Sequence, residues 1–320
     1  GCAIGDALGR PFEMKSASSP ALKEWDGSFK DGSTFGKGRN DAKGQYTDDT
    51  MATICLSRSL IRCNGFDPED VAKEYLAWYK SGEFRGMGST TAHAISRLKL
   101  GTSWKESGLV GDEFGGNGTA MRASPIGIVY HNSLKDLVKV SYDDALITHN
   151  SKEPKVGSLA VVLATAFLMN DPPAFVKETT PQNVLGIVID ALPPSMVRNL
   201  LERAQHHLNE KSDVADAMRD IGAKGKLRGW VPETVAAAFY CLAKTDNFKD
   251  AVLMSIRIGG DTDTTAAITG ALAGTYYGID AIPQEYKDGV EDFAILNELT
   301  EQLLNIKLGS NSAEESIRVE

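Results

Sequence analysis

The chain has 320 residues, 42% of them hydrophobic and 24% charged, which excludes collagen, a coiled coil and a wholly disordered chain. Its 34 basic against 43 acidic residues leave a formal charge of −9. A nucleic-acid-binding face would form against that field, so a DNA or RNA partner is not expected.

In chain order, Gly1–Gly9 (GCAIGDALG) reads as the middle of a small-residue helix, so the numbering is expected to begin inside a longer reading frame. Residues 15–46 are Gly-rich and polar, too long for an ordinary connector. Thr50–Cys63 is apolar on most sides (Met51, Ile54, Cys55, Leu56, Leu60, Ile61) and predicts a central buried helix ending at Gly65. Asp67-Pro68-Glu69-Asp70 restarts a helix: Asp67 caps, Pro68 suits the first helical position, and acids suit the dipole. Residues 101–120 form a second long Gly-rich stretch. Asp171-Pro172-Pro173, Leu192-Pro193-Pro194, Val231-Pro232-Glu233 and Ile282-Pro283 punctuate the rest. They separate helices predicted over about 134–146, 155–169, 194–209, 232–244, 248–257, 262–277 and 291–307.

Alternating runs are few and short, so the expected fold is all-α. Length allows two domains or one large one; helices joined by short connections favour one, over 1–308, with a flexible tail at 309–320. No apolar run approaches the ~18 residues of a membrane span, and the longest, Gly157–Met169, predicts a buried helix. Four cysteines without a CxxC pair (Cys2, Cys55, Cys63, Cys241) are expected as buried free thiols of a cytoplasmic protein without a signal peptide.

Two acidic clusters, Thr47-Asp48-Asp49-Thr50 and Asp261-Thr262-Asp263-Thr264-Thr265, each precede an apolar helix. Capping needs one or two acids there, not two whole clusters. Neighbouring helical residues point about 100° apart, so adjacent oxygens converge only at a helix's first residues. Four carboxylates brought together repel and shift their pKa values upward, a conflict that two divalent cations remove. Carboxylates and hydroxyls are hard donors and no histidine lies in either cluster, which favours Mg²⁺ or Mn²⁺ over Zn²⁺. Gly115–Arg122 (GGNGTAMR) is a loop whose backbone N–H groups can approach a phosphate. Thr148-His149-Asn150 offers a donor to a ribose or phosphate, and Glu13 adds one more acid.

Gly5-Asp6-Ala7-Leu8-Gly9 with Glu13, Tyr46–Thr50, Gly116–Arg122, Thr148-His149 and Gly259–Thr264 occur in this order. The set resembles the ADP-ribosylglycohydrolase family from residue 1 to about 280, and Gly229–Val235 (GWVPETV) is similar as well. The resemblance implies a compact single-domain orthogonal helix bundle with a dinuclear metal cleft. The implied ligands are Thr47, Asp48, Asp49, Asp261, Asp263 and Thr264, and Glu13 matches a mobile acidic residue that closes over the site. Gly116, Asn117, Gly118, Thr119, Ala120, Met121 and Arg122 match the loop holding the diphosphate and adjoining ribose. His149 matches a substrate-binding histidine, and Trp230 stands where an aromatic can stack on adenine.

The implied activity is metal-dependent hydrolysis of the N- or O-glycosidic bond between ADP-ribose and an acceptor, a protein side chain or a small conjugate. Asp48, Asp261 and Glu13 are the expected catalytic acids, two Mg²⁺ or Mn²⁺ ions the cofactors, and a monomer the expected state. The alternative is a catalytically silent ADP-ribose-binding protein of the same fold. A helical two-metal phosphohydrolase fits less well, because no His-Asp pair occurs. Asn150–Lys155 (NSKEPK) is more charged than the family pattern, which bears on acceptor preference.

Overall fold

A computed structural model describes residues 1–32, 42–169, 179–222 and 227–306. The tail from Gly309, the Asp171-Pro172-Pro173 punctuation and the last residue of the 291–307 prediction lie outside the described residues. Within them the regular secondary structure is almost entirely helical, as the sequence pattern requires; the one sheet is two two-residue strands, Lys15–Ser16 and Gly259–Gly260.

The predicted helices appear as Leu134–Thr148, Lys152–Leu168, Met196–Asn209, Val231–Lys244, Phe248–Arg257, Thr262–Tyr277 and Phe293–Leu304. The helix predicted from Thr50 spans Asp48–Cys63. It closes at Asn64 rather than Gly65: Asn64 takes the left-handed conformation (φ 49°), and the Gly65 N–H reaches back to the Leu60 carbonyl. Asp67 caps Pro68–Ser81 as expected, accepting from the Glu69 and Asp70 amides.

Two of the longer helices have no counterpart in the sequence reading, nor do the short ones Pro20–Lys23, Trp104–Ser107, Ser124–Tyr130, Val214–Asp220 and Gln284–Gly289. Ser89–Lys99 hides a narrow apolar stripe (Thr91, Ala94, Ile95) behind a polar first turn, and Pro181–Ala191 is rich in β-branched residues that blur its period. All four cysteines are free, but Cys63 is exposed at a helix end, against the expectation of four buried thiols. Among the described residues no helix is long and apolar enough to cross a membrane.

Lys152–Leu168, Val231–Lys244 and Thr262–Tyr277 touch one another and are buried along most of their length. Polar residues survive inside Thr262–Tyr277 because their hydroxyls bond back one turn: Thr265 to the Asp261 carbonyl and Thr269 to that of Thr265. The N-terminal helix, Cys2–Gly9, lies antiparallel against this core helix, so close that its glycines have no room for a Cβ. A Cβ on Gly5 would stand 1.9 Å from the Ala266 carbonyl oxygen, and one on Gly9 2.4 Å from that of Thr262. The Thr262 hydroxyl donates to the Gly9 carbonyl at 2.8 Å. The small-residue spacing of GCAIGDALG thus sets Asp6 against the first acidic cluster and Arg10 and Glu13 against the second.

Candidate active site

Both acidic clusters lie at helix starts. Thr47 caps Asp48–Cys63 by accepting from the Asp49 amide, and Asp261 stands at the cap of Thr262–Tyr277. The short sheet fixes the approach of Glu13: Lys15 pairs with Gly260, and the Met14 amide donates to the Gly260 carbonyl at 2.6 Å. Both strand glycines have positive φ, 76° and 93°, which makes the turn into Asp261 possible. Carboxylate oxygens of Glu13, Asp261 and Asp263 consequently lie within 4.8 Å of one another.

The first cluster faces the second. Burial first, then the charges of Asp6, Asp48 and Asp261, hold the Asp49 carboxyl well above the usual carboxylate range. Burial raises Asp263 likewise, with Glu13, Asp261 and Asp49 adding to it. Asp48 is pushed up to about 7 by burial and then by Asp6. Its Oδ2 accepts from the Gly88 amide at 3.3 Å, while its own amide donates to the Arg85 carbonyl. Thr264 is buried beside Asp263, donating its amide to Asp263 Oδ1 at 3.0 Å.

Two residues of this cleft escaped the sequence reading. Asp6, fully buried, accepts from the Thr47 and Thr50 amides and from the Thr50 hydroxyl at 2.6 Å, capping the Asp48–Cys63 helix from another element. Burial raises its pKa against those hydrogen bonds. Arg10 pairs with Glu13 and lies 3.6 Å from Asp263 Oδ2. Both stand inside GDALGRPFE, where helical spacing relative to Glu13 was the available signal.

The donor set fits divalent cations. Asp49 Oδ1 is a buried oxygen with no hydrogen-bond partner among the described residues, and such an atom is costly unless a cation or proton meets it. The neighbouring groups are carboxylates and threonine hydroxyls, hard ligands suited to Mg²⁺ or Mn²⁺.

The glycine-rich loop adjoins this cleft. Gly116 pairs with Trp230 as an antiparallel bridge, closed by the Asn117 amide on the Gly229 carbonyl and the Val231 amide on that of Gly115. Asn117 Nδ2 then donates to Asp261 Oδ2 at 2.7 Å and to the Thr234 hydroxyl at 3.1 Å. The backbone N–H groups of Gly116, Gly118 and Thr119 have no acceptor among the described residues. His149 Nε2 stands beside them, 3.3 Å and 3.4 Å from where Cβ atoms on Gly116 and Gly118 would lie. Trp230 is half-buried at the cap of Val231–Lys244, its indole against Gly115.

Thr119, Ala120, Met121 and Arg122 are buried beneath the loop. Thr119 donates to the Pro154 carbonyl, and the Arg122 guanidinium turns inward to Asp144. Thr119 and Arg122 thus anchor the loop from below, while Ala120 and Met121 belong to the buried core. The charged Asn150–Lys155 segment leads into and begins the Lys152–Leu168 helix, where Glu153 accepts from the Met196 and Val197 amides. Its acid therefore caps a neighbouring helix.

The model of the family described as ADP-ribosylglycohydrolase matches residues 1–312. ADP-ribosylarginine hydrolase Tri1 of Serratia proteamaculans is 29% identical over 310 residues, covering 95% of this chain and 76% of its own. ADP-ribosylhydrolase ARH3 of Homo sapiens is 26% identical over 333 residues, 95% of this chain and 90% of its own. A solved structure titled ADP-ribosylglycohydrolase-related protein complex superposes with a TM-score of 0.75 at 26% identity, covering 96% of this chain and 95% of that one. Fold, cleft and these likenesses define an all-helical glycohydrolase. The chain belongs to the ADP-ribosylglycohydrolase family.

Proposed function

We propose that the protein is a metal-dependent hydrolase that releases ADP-ribose from an acceptor, a modified protein side chain or a small conjugate, acting as one unit over residues 1–308. The observation that carries this reading is the meeting of Glu13, Asp261 and Asp263 within 4.8 Å, tied to the glycine-rich loop by the bond from Asn117 to Asp261. Relatives bearing the names Tri1 and ARH3 support ADP-ribose as the shared half of the substrate.

Thr47, Asp48, Asp49, Asp261, Asp263 and Thr264 would hold two divalent cations, Mg²⁺ or Mn²⁺. Such ions supply Lewis acidity and an anchor for the ribose diol when bound. The free N–H groups of Gly116, Gly118 and Thr119 suit the diphosphate, with His149 beside them and Trp230 against the adenine. Hydrolysis breaks the bond from the anomeric carbon to the acceptor nitrogen or oxygen and forms a bond to a water oxygen, through oxocarbenium character at that carbon. Asp48 or Asp261 takes the proton of the water, and Glu13, at the rim, returns one to the departing acceptor.

The test is release of ADP-ribose from arginine-, serine- and acetyl-linked substrates with Mg²⁺ or Mn²⁺, with Asp48→Ala and Asp261→Ala as controls. Release by the wild type, lost in both variants, is expected. A wild type that binds metal and ADP-ribose but turns over no linkage would instead be a silent binder. The complete acidic clusters argue against that second reading.

A further inference from the structure

Beneath the glycine-rich loop lies a buried polar chain with a defined direction. Asp144 accepts from Arg122 Nε at 3.0 Å and from the Tyr75 hydroxyl at 3.2 Å, and its carbonyl accepts from Arg122 Nη2 at 2.9 Å. Arg122 Nη1 donates to the Gly118 carbonyl at 3.1 Å and to Thr148 Oγ1 at 2.8 Å. A guanidinium has donors only, so Thr148 Oγ1 is the acceptor in that bond and its own proton must go elsewhere. Thr148 is fully buried, and its remaining hydrogen-bond neighbour among the described residues is His149 Nδ1, at 2.9 Å. If Nδ1 carried the proton, Thr148 Oγ1 would accept twice and leave a buried O–H without an acceptor, the arrangement that folded proteins avoid.

We infer that Thr148 is a positioning residue that locks His149 with Nδ1 bare and Nε2 protonated, so that the nitrogen beside Gly116 and Gly118 is a fixed donor to a phosphate oxygen of the ligand. The ligand part of this inference rests on reading the glycine-rich loop as the seat of the ADP-ribose diphosphate. Nε2 makes no hydrogen bond within the described residues, so its donor is free for a ligand. Burial, and then the charge of Arg122, press the ring's pKa down to about 3, which keeps it neutral. A neutral imidazole can donate from one nitrogen only, and the tautomer decides which. Asp144 and Arg122 matter here because they commit the Thr148 lone pair; neither reaches the ligand.

The test is a long-range proton–nitrogen correlation spectrum of the full chain labelled with nitrogen-15, with His149 assigned by comparison with His149→Gln. The wild type and Thr148→Ser are expected to show one neutral tautomer, protonated at Nε2 and bare at Nδ1. Thr148→Val is expected to show a mixture and to bind ADP-ribose about tenfold more weakly, with Thr148→Ser near the wild type. A wild-type ring protonated at Nδ1, or already mixed, overturns the inference even if Thr148→Val cannot be folded. A single tautomer and unchanged affinity in Thr148→Val overturn the role of Thr148. A wild type that shows the Nε2–H tautomer but binds no ADP-ribose upholds the lock and overturns the substrate reading instead.

Discussion

Asn117 Nδ2 and Asp261 Oδ2, separated by 144 residues of chain, meet at 2.7 Å. The loop proposed to hold the diphosphate thereby orients a carboxylate of the proposed metal site. Hydrogen bonds of this kind typically account for 10- to 100-fold in metal affinity. Asn117→Ala is expected to weaken Mn²⁺ binding about tenfold by titration calorimetry. Asn117→Asp, which sets a like charge against Asp261, should weaken it further. Unchanged affinity in both would mean that Asp261 is placed by its backbone alone.

Asp6 ties the N-terminal helix to the start of Asp48–Cys63 through two amides and a hydroxyl, all buried. Asp6→Ala strands these donors, and the expected loss is about 3 kcal/mol of stability, since each buried donor left unsatisfied costs about 1–3 kcal/mol. Asp6→Asn keeps one acceptor oxygen and should lose less. Urea unfolding in EDTA measures both, and equal stability of Asp6→Ala and wild type would remove Asp6 from this role.

Without metal, the carboxyls of Asp48, Asp49 and Asp263 keep their protons above the usual carboxylate range. The unfolded chain releases its protons near pH 4, so between there and about 7, where Asp48 ionises, the folded state binds more protons. Stability in EDTA should therefore fall as the pH rises through this window. With Mn²⁺ the trend in affinity runs the other way, because protons and cations compete for the same oxygens. Denaturant midpoints at pH 5 and pH 8, with and without metal, check both signs; an EDTA midpoint that rises with pH would contradict the first.

Arg10 brings a fixed positive charge to Glu13 and, at 3.6 Å, to Asp263. In the metal-free protein that charge relieves carboxylate repulsion, and in the loaded protein it opposes the incoming cations. Arg10→Gln is expected to lower the melting temperature in EDTA by about 3 °C, the shift that about 2 kcal/mol produces in a chain of this size. The increase on adding Mn²⁺ should exceed that of the wild type. A smaller increase would make Arg10 a support of ion binding and not its competitor.

The all-helical fold was legible because helical periods and Pro or Asp starts are local signals, and most predicted helices appear within a few residues of their expected bounds. The acidic clusters were legible for the same reason: carboxylates packed at a helix start are written in consecutive letters. Ser89–Lys99 and Pro181–Ala191 were not, since a polar first turn and β-branched residues mask the period until neighbours cover the apolar side.

Length, composition and a charge of −9 determined that this is an ordinary acidic globular chain, and its ordered motifs pointed to the family. Only the tertiary structure decided which side of each motif faces the cleft. Arg122 is a cation in a glycine-rich loop, and by sequence it suits a phosphate as well as Asp144; packing beneath the loop gives it to Asp144. Asp6 and Arg10 gained their roles in the same way, because the close contact of Gly5 and Gly9 with Thr262–Tyr277 carries them to groups more than 35 residues away in sequence. A motif fixes which chemical groups are available locally, whereas their partners depend on contacts between distant segments that a linear pattern does not contain.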